Sequence, residues 1–274
     1  MSDAYAVFGH PVGHSKSPRI HAAFAAATGQ DMTYGAVEAP LGGFGQALTA
    51  FRASGARGAN VTAPFKLDAY ASADWLSERA RAAGAVNALK FEDGRVLGEN
   101  FDGVGLVRDI AVNLHVPVEG RRVLLLGAGG AARGATPALL ARGPALLTIA
   151  NRHQDKAVEL AATFAHLGPT EAAGYAALAD HAPYDLVLNS TSASWNGEAL
   201  PVPHGCFAPG SLAYDLVYGK GLTPFLAQAR TAGAGQLADG VGMLVEQAAE
   251  AFIWWRGVRP ATRAVIDDLT IPLT

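Results

Sequence analysis

Along the 274-residue chain, short apolar runs alternate with helix-length amphipathic or Ala-rich stretches, the pattern of strands joined by crossover helices. The fold class this predicts is α/β. In the first third, strands are predicted over 5–8, 33–37, 58–61 and 87–91, with helices following Pro18, Gly42 and Ser72. A second sheet is predicted to begin over 123–126, where VLLL runs into the turn GAGG and an Ala/Leu-rich helix. Apolar runs over 146–150, 185–189 and 212–217 extend that sheet. Near the C-terminus, GMLVEQAAEAFIWWRG sets Leu244, Ala248, Ala251, Phe252 and Trp255 on one helical stripe, so this helix packs on something. Gln247 falls on the same stripe, and an amide on an apolar face needs hydrogen-bond partners.

Composition narrows the class. The length is near twice the common domain size, which predicts two domains. Half the residues are apolar and 16% charged, the balance of a well-packed globular enzyme. Lys and Arg number 21 against 24 Asp and Glu, with no basic run, so the electrostatic footprint of nucleic-acid binding is missing. Cys206 is the single cysteine, which excludes an internal disulfide and argues against a zinc site; no metal is expected. No window approaches a membrane span and the N-terminal residues have no signal-peptide pattern. A cytoplasmic protein is expected. Asn60 and Asn189 each head a glycosylation sequon, but without a secretory route neither is read as modified.

The most specific local motif is Gly127-Ala128-Gly129-Gly130-Ala131-Ala132, a G-x-G-x-x-(G/A) fingerprint lying between a predicted strand and a predicted helix. Its glycines permit close backbone approach to a pyrophosphate, and amides at a helix start attract the negative charge. The next strand ends in Asn151-Arg152-His153, with Lys156 one turn on. An NAD enzyme usually carries an acid there for the ribose hydroxyls. Cations and an amide instead favour a 2′-phosphate, hence NADP over NAD, unless Arg152 and Lys156 are merely solvated.

Polar residues also gather at strand ends in the first third. Ser15 and Ser17 flank Lys16 before Pro18; Ser17 reads as a helix N-cap, a place that equally suits a substrate carboxylate. Asn60, Thr62 and Lys66 lie at or beyond the end of one strand, where open α/β sheets bind ligands. Lysine can polarise a carbonyl and donate a proton, although Lys66 taken alone reads as a solvated surface residue. Asn87 and Asp102 follow the same pattern, and each alone could be a turn or cap residue.

Taken together, VFGHPVGHSKSPRIH, GANVTAPFK, GAVNALK, GENFDGVG, LLLGAGGAARG, NRHQDKA, LNSTS, YDLVYGKGLTPF and DGVGMLVEQAAEAF resemble the shikimate dehydrogenase family, in family order and over nearly the whole chain. The resemblance implies a two-domain α/β enzyme, with an N-terminal substrate domain over 1–102, a Rossmann-like NADP-binding domain over 103–239 and C-terminal helices over 240–274 returning to the substrate domain. The active site is expected in the cleft between the domains. It implies Ser15 and Ser17 as carboxylate ligands, Asn60, Thr62, Asn87 and Gln247 as ligands of ring hydroxyls, Tyr218 with the substrate, and Lys66 and Asp102 as the catalytic pair. Gly127, Ala128, Gly129, Gly130, Ala131, Asn151, Arg152, His153, Lys156, Thr191 and Gly240 are implied at the cofactor. The activity implied is reversible NADPH-dependent reduction of 3-dehydroshikimate to shikimate, in chorismate and aromatic amino acid biosynthesis, by a monomer or homodimer. Two departures stand out: Phe101 replaces the usual threonine of the N-x-D loop, and His153 replaces the threonine of the adenosine-side N-R-T turn, removing one hydroxyl. Two alternatives are a quinate/shikimate dehydrogenase, against which Ser17 argues because quinate users often carry threonine there, and a silent NADP-binding regulator, against which retention of Lys66 and Asp102 argues.

Overall fold

The computed structural model describes residues 2–274 and contains two six-stranded sheets. The chain up to Gly105 together with Val245–Val265 forms one compact unit, and Leu106–Leu244 with Ile266–Thr274 forms a second. The residues from Ile266 go with the second unit, because Leu273 packs against its hydrophobic core.

The first unit runs β1 (Asp3–Gly9), α1 (Ser17–Thr28), β2 (Met32–Glu38), α2 (Phe44–Ala53), β3 (Gly58–Val61), α3 (Lys66–Ser72), β4 (Trp75–Leu76), α4 (Glu78–Ala83), β5 (Ala88–Glu92) and β6 (Arg95–Glu99), and α5 (Asp102–Arg108) carries the chain out. Its strand order is β2-β1-β3-β5-β6-β4. β2, β1 and β3 are parallel, as the alternating pattern predicts. β5 is antiparallel to both neighbours, so the sheet is mixed. The β5–β6 pairing is a two-residue hairpin: Glu92 pairs with Arg95 across Asp93-Gly94, both at positive φ (50° and 74°), the Asp-Gly turn whose twist matches a hairpin. The helix expected after Ser72 lies further on. α3 ends at Ser72, and α4 starts at Glu78 because the Ser77 Oγ accepts the Ala80 N–H at 3.0 Å as a true N-cap. The core of this unit is built on Ala6, Phe8, Val61, Phe65, Val86 and Leu89.

The second unit continues with β7 (Arg122–Leu126), α6 (Gly130–Leu140), β8 (Leu146–Asn151), α7 (Gln154–Phe164), β9 (Thr170–Gly174), β10 (Tyr184–Asn189), β11 (Phe207–Asp215), α8 (Pro224–Thr231) and β12 (Gln236–Asp239). The sheet order is β12-β11-β10-β7-β8-β9 with every pairing parallel. This is the doubly wound order that reverses beside the first strand, and ligands bind such sheets beyond the strands' carboxyl ends. β7 and β10 are buried almost throughout, as strands covered on both faces must be. The edge strands β9 and β12 were not predicted from the sequence. The chain re-enters the first unit within α9 (Val241–Arg256), and α10 (Arg263–Leu269) follows. Among the described residues, no helix is long and apolar enough to cross a membrane.

Candidate active site

In the first unit, Lys66 is the first residue of α3, just beyond β3, and Asp102 is the first of α5, just beyond β6. Their side chains meet, with Lys66 Nζ 2.6 Å from Asp102 Oδ2 and relative exposures of 33% and 14%. The loop before Asp102 is held by side-chain hydrogen bonds to the backbone. Asn100 Oδ1 accepts the Asp102 N–H at 3.1 Å, and Asn100 Nδ2 reaches the Ala85 carbonyl at 3.0 Å. Glu99, buried, accepts from the Ser77 hydroxyl, the Asn100 N–H and the Nε and Nη2 groups of Arg79, so the strand end that presents Asp102 is fixed on three sides.

Asn87 links the pair to the last long helix. Its Nδ2 donates to Asp102 Oδ1 (2.7 Å) and to Gln247 Oε1 (3.3 Å), while its Oδ1 accepts the Phe101 N–H (2.9 Å). The amide of Gln247, out of place on an apolar stripe, thus has a partner in Asn87, the residue just before β5. Phe101 itself is buried among Tyr5, Ala88, Ala251 and Trp255, edge-on to Trp254 at 5.9 Å. The bulk that departs from threonine therefore fills core space.

Asn60 is buried at the end of β3. Its Nδ2 donates to the Asn87 carbonyl at 3.2 Å, and its Oδ1 accepts the Tyr34 hydroxyl at 2.7 Å and faces His21 Nε2 at 3.1 Å. Burial drives the His21 pKa down to about 3, outweighing the Asn60 hydrogen bond, so the ring is neutral. Thr62, just past β3, is tied to β1 through its N–H and the Phe8 carbonyl (2.9 Å). Both sequon asparagines, Asn60 and Asn189, are buried, which closes them to glycosylation. His21 and Tyr34 were not singled out from sequence. The signal was there: Ser17, Ile20, His21 and Phe24 form the buried stripe of α1, and a histidine on that stripe needs a polar partner.

Ser17 does not cap α1. It is already helical, the N-cap position is Lys16, and no side chain caps it. The turn closes earlier, with the Ser15 N–H bonded to the Val12 carbonyl and Ser15 Oγ accepting the Ser17 N–H at 3.3 Å. The local bond thus belongs to Ser15, for which no capping role was expected, while Ser17 is buried near the Tyr34 phenol, whose pKa burial raises and Ser17 partly lowers.

In the second unit, Gly127 follows β7 at φ +107°, where a Cβ would stand 2.7 Å from Ser190 Oγ. Only glycine fits there. Beyond it, Gly129 occupies the N-cap of α6 without any side-chain cap and Gly130 opens the helix, both with open space where a Cβ would be. Ala131 continues the first turn, whose N–H groups lack intrahelical partners. Thr191 sits on the β10 loop with its hydroxyl and N–H both on Asn189 Oδ1 (2.7 and 3.0 Å). At Gly240 a Cβ would overlap the Leu216 carbonyl, and its N–H bonds Val217 O at 3.2 Å. Asn151 ends β8 and donates to the His153 carbonyl at 3.0 Å, bracing the turn on which Arg152, His153 and Lys156 are exposed. Arg152 is near the Tyr175 phenol, whose pKa it lowers against the larger effect of burial. Asp155 is the acid of α7's first turn, a position where a carboxylate complements the helix dipole. Tyr218, expected with the substrate residues, belongs to the second unit and lies edge-on to Trp195 at 6.1 Å. A glycine-lined turn, open amides and a strand end with cations in place of an acid could hold a dinucleotide with a 2′-phosphate.

Sequence reasoning also passed over Asp215, at the end of β11. Its buried carboxylate accepts from Ser194 and Thr223 on one oxygen (2.5 and 2.6 Å) and from Asn189 and the Val217 N–H on the other (3.0 and 3.1 Å). Burial raises its pKa, and these four bonds oppose the rise.

Three family models match the chain: shikimate dehydrogenase substrate binding domain over residues 7–89, shikimate/quinate 5-dehydrogenase over 109–196 and shikimate 5′-dehydrogenase C-terminal domain over 240–268. A protein from Dechloromonas aromatica named shikimate dehydrogenase (NADP(+)) is 58% identical over 100% of this chain and 99% of its own. The crystal structure of an Ael1 enzyme from Pseudomonas putida is 56% identical with a TM-score of 0.94, covering 100% of both chains. That of shikimate 5-dehydrogenase from Thermus thermophilus, solved with NADP(H) and shikimate, is 32% identical with a TM-score of 0.86, covering 97% of each.

Proposed function

The chain belongs to the shikimate dehydrogenase family, and on that premise we propose that it interconverts 3-dehydroshikimate and shikimate with NADP. The observation that carries the reading is the Lys66–Asp102 contact, held by Asn87 within reach of Gln247. When bound, NADPH supplies the hydride. Lys66 has three N–H donors; Asp102 accepts one, leaving two to stabilise the alkoxide developing on the ring oxygen and to protonate it. Asp102 restrains the ammonium, and Asn87 restrains Asp102, so the donor is placed before the substrate arrives. Asn60, Thr62, Asn87 and Gln247 supply the polar groups that orient a polyhydroxylated ring. Ser15 and Ser17, with Tyr218, complete the substrate set, and the substrate carboxylate falls to the two serines. On the cofactor side, Gly127, Ala128, Gly129, Gly130 and Ala131 would hold the pyrophosphate, Asn151, Arg152, His153 and Lys156 the adenosine 2′-phosphate, and Thr191 and Gly240 the remainder.

The test is turnover of shikimate followed by NADPH absorbance, with quinate and NAD⁺ run in parallel. Rapid reduction of NADP⁺ by shikimate, with quinate and NAD⁺ much poorer, is the expected result. NADP⁺ binding without any absorbance change would identify a silent binding protein and sink the proposal. Equal rates on quinate would replace it with a broader dehydrogenase.

A further inference from the structure

From the hydrogen bonds around Asn60 we infer that His21 and Tyr34 are positioning residues that lock the Asn60 amide so that it meets the substrate as a hydrogen-bond donor. The inference rests on the function proposed above.

An asparagine amide can be turned over without changing its shape, and only its partners decide which end is oxygen. Here the Asn87 backbone carbonyl decides. It lies 3.2 Å from Asn60 Nδ2 and can only accept, so a turned amide would set two oxygens against each other. With Nδ2 assigned, Oδ1 must face Tyr34 and His21. Tyr34 donates to it at 2.7 Å, and His21 Nε2 at 3.1 Å must carry the ring proton. The other ring nitrogen, Nδ1, is then bare, and it is buried with no partner. One tautomer accounts for every contact.

Both lone pairs of Oδ1 are therefore occupied by protein, and one of the two Nδ2 protons is given to Asn87. What remains for a ligand is a single N–H. Asn60 is thus committed to an acceptor on the substrate, a hydroxyl or carbonyl oxygen. The His21 and Tyr34 rings are stacked at 4.1 Å and 7°, which holds both donors in register. Since His21 titrates only near pH 3, the lock keeps one state across the neutral range.

The experiment is a double-mutant cycle on shikimate kinetics. His21→Phe keeps an aromatic ring on the stack and removes the N–H; Tyr34→Phe removes only the hydroxyl. Each is expected to raise KM for shikimate about 3- to 10-fold, the loss of one neutral hydrogen bond, with kcat nearly unchanged because the contact is made in ground and transition states alike. Against Asn60→Ala, both effects should shrink below about twofold, since the amide they orient is gone. NADP⁺ affinity, by fluorescence titration, should not move. Undiminished effects of His21→Phe and Tyr34→Phe in the Asn60→Ala background, or a fall in kcat at constant KM, would overturn the inference while leaving the dehydrogenase reading intact. If His21→Phe fails to fold, Tyr34→Phe alone completes the cycle. A wild-type protein that does not turn over shikimate overturns both.

Discussion

The Lys66 ammonium lies 2.6 Å from one oxygen of Asp102, while the other oxygen is held by Asn87 at 2.7 Å. Neither of these two proposed catalytic groups is left to find its orientation during the reaction. Lys66→Ala is therefore expected to lower kcat by about 10²- to 10⁴-fold, the range for a positioned proton donor, with a smaller change in substrate binding. Steady-state kinetics decide it; a variant with near-normal kcat removes Lys66 from the mechanism.

Ser15 Oγ uses a lone pair to accept the Ser17 N–H, which leaves its own proton available for a carboxylate. Ser15→Ala should weaken shikimate binding by about 1 to 3 kcal/mol, the range for a hydrogen bond to a charged group. An unchanged dissociation constant in a calorimetric titration would put the carboxylate elsewhere.

What the sequence disclosed and what it withheld follow one physical line. Buried strands such as β7 and β10 carry unbroken apolar stretches (VLLL and LVL), and the Gly127 turn carries its own fingerprint, so the second sheet's centre was legible. Its edges were not: TEAAG and QLAD are half-exposed and lack an apolar run. The β5–β6 hairpin did carry an Asp-Gly turn signal, but the flanking KFEDGR is polar enough to hide the second strand. Lys66 and Asp102 are 36 positions apart, and no local pattern joins them; family resemblance paired them before the geometry did. His21 and Asp215 were missed because a buried polar residue declares itself only through partners brought from 39 and 26 positions away.

Asp215 is the polar anchor of the second unit, with four donors on one buried carboxylate. Asp215→Ala leaves the Ser194, Thr223, Asn189 and Val217 donors without their acceptor, and a destabilisation of at least about 3 kcal/mol is expected. Thr191, whose loop hangs on Asn189, should become mobile, raising KM for NADP⁺. Chemical denaturation reads the first effect, and a loss under about 1 kcal/mol would mean that water replaces the carboxylate.

His21 gives a pH signature independent of catalysis. Its unfolded pKa is near 6.5 and its folded value about 3, so between those values the unfolded chain holds the extra proton. Stability from this group is complete above the unfolded value and is lost as pH falls through the window. From about pH 7 to pH 5, wild type should lose about 2 kcal/mol more than His21→Phe. Parallel pH-stability curves for the two proteins would mean that the ring is solvated.

Cofactor choice rests on the turn after β8. It carries no acid between Ala150 and His153, and Asn151 braces it through the His153 carbonyl, leaving Arg152 and Lys156 exposed. Well-formed charge-assisted bonds to phosphate contribute about 1.5 to 3 kcal/mol each, less where solvent screens them. Arg152 should dominate, since its planar fork engages two phosphate oxygens while Lys156 offers one hydrated charge. Exposure argues for the lower part of the range. Arg152→Ala is thus expected to raise KM for NADP⁺ by about 10- to 100-fold and to leave NAD⁺ nearly unaffected. The ratio of the two cofactors is the control. Equal weakening toward both, or a wild-type protein that uses NAD⁺ as efficiently as NADP⁺, would mean that the 2′-phosphate is not read by Asn151, Arg152 and Lys156.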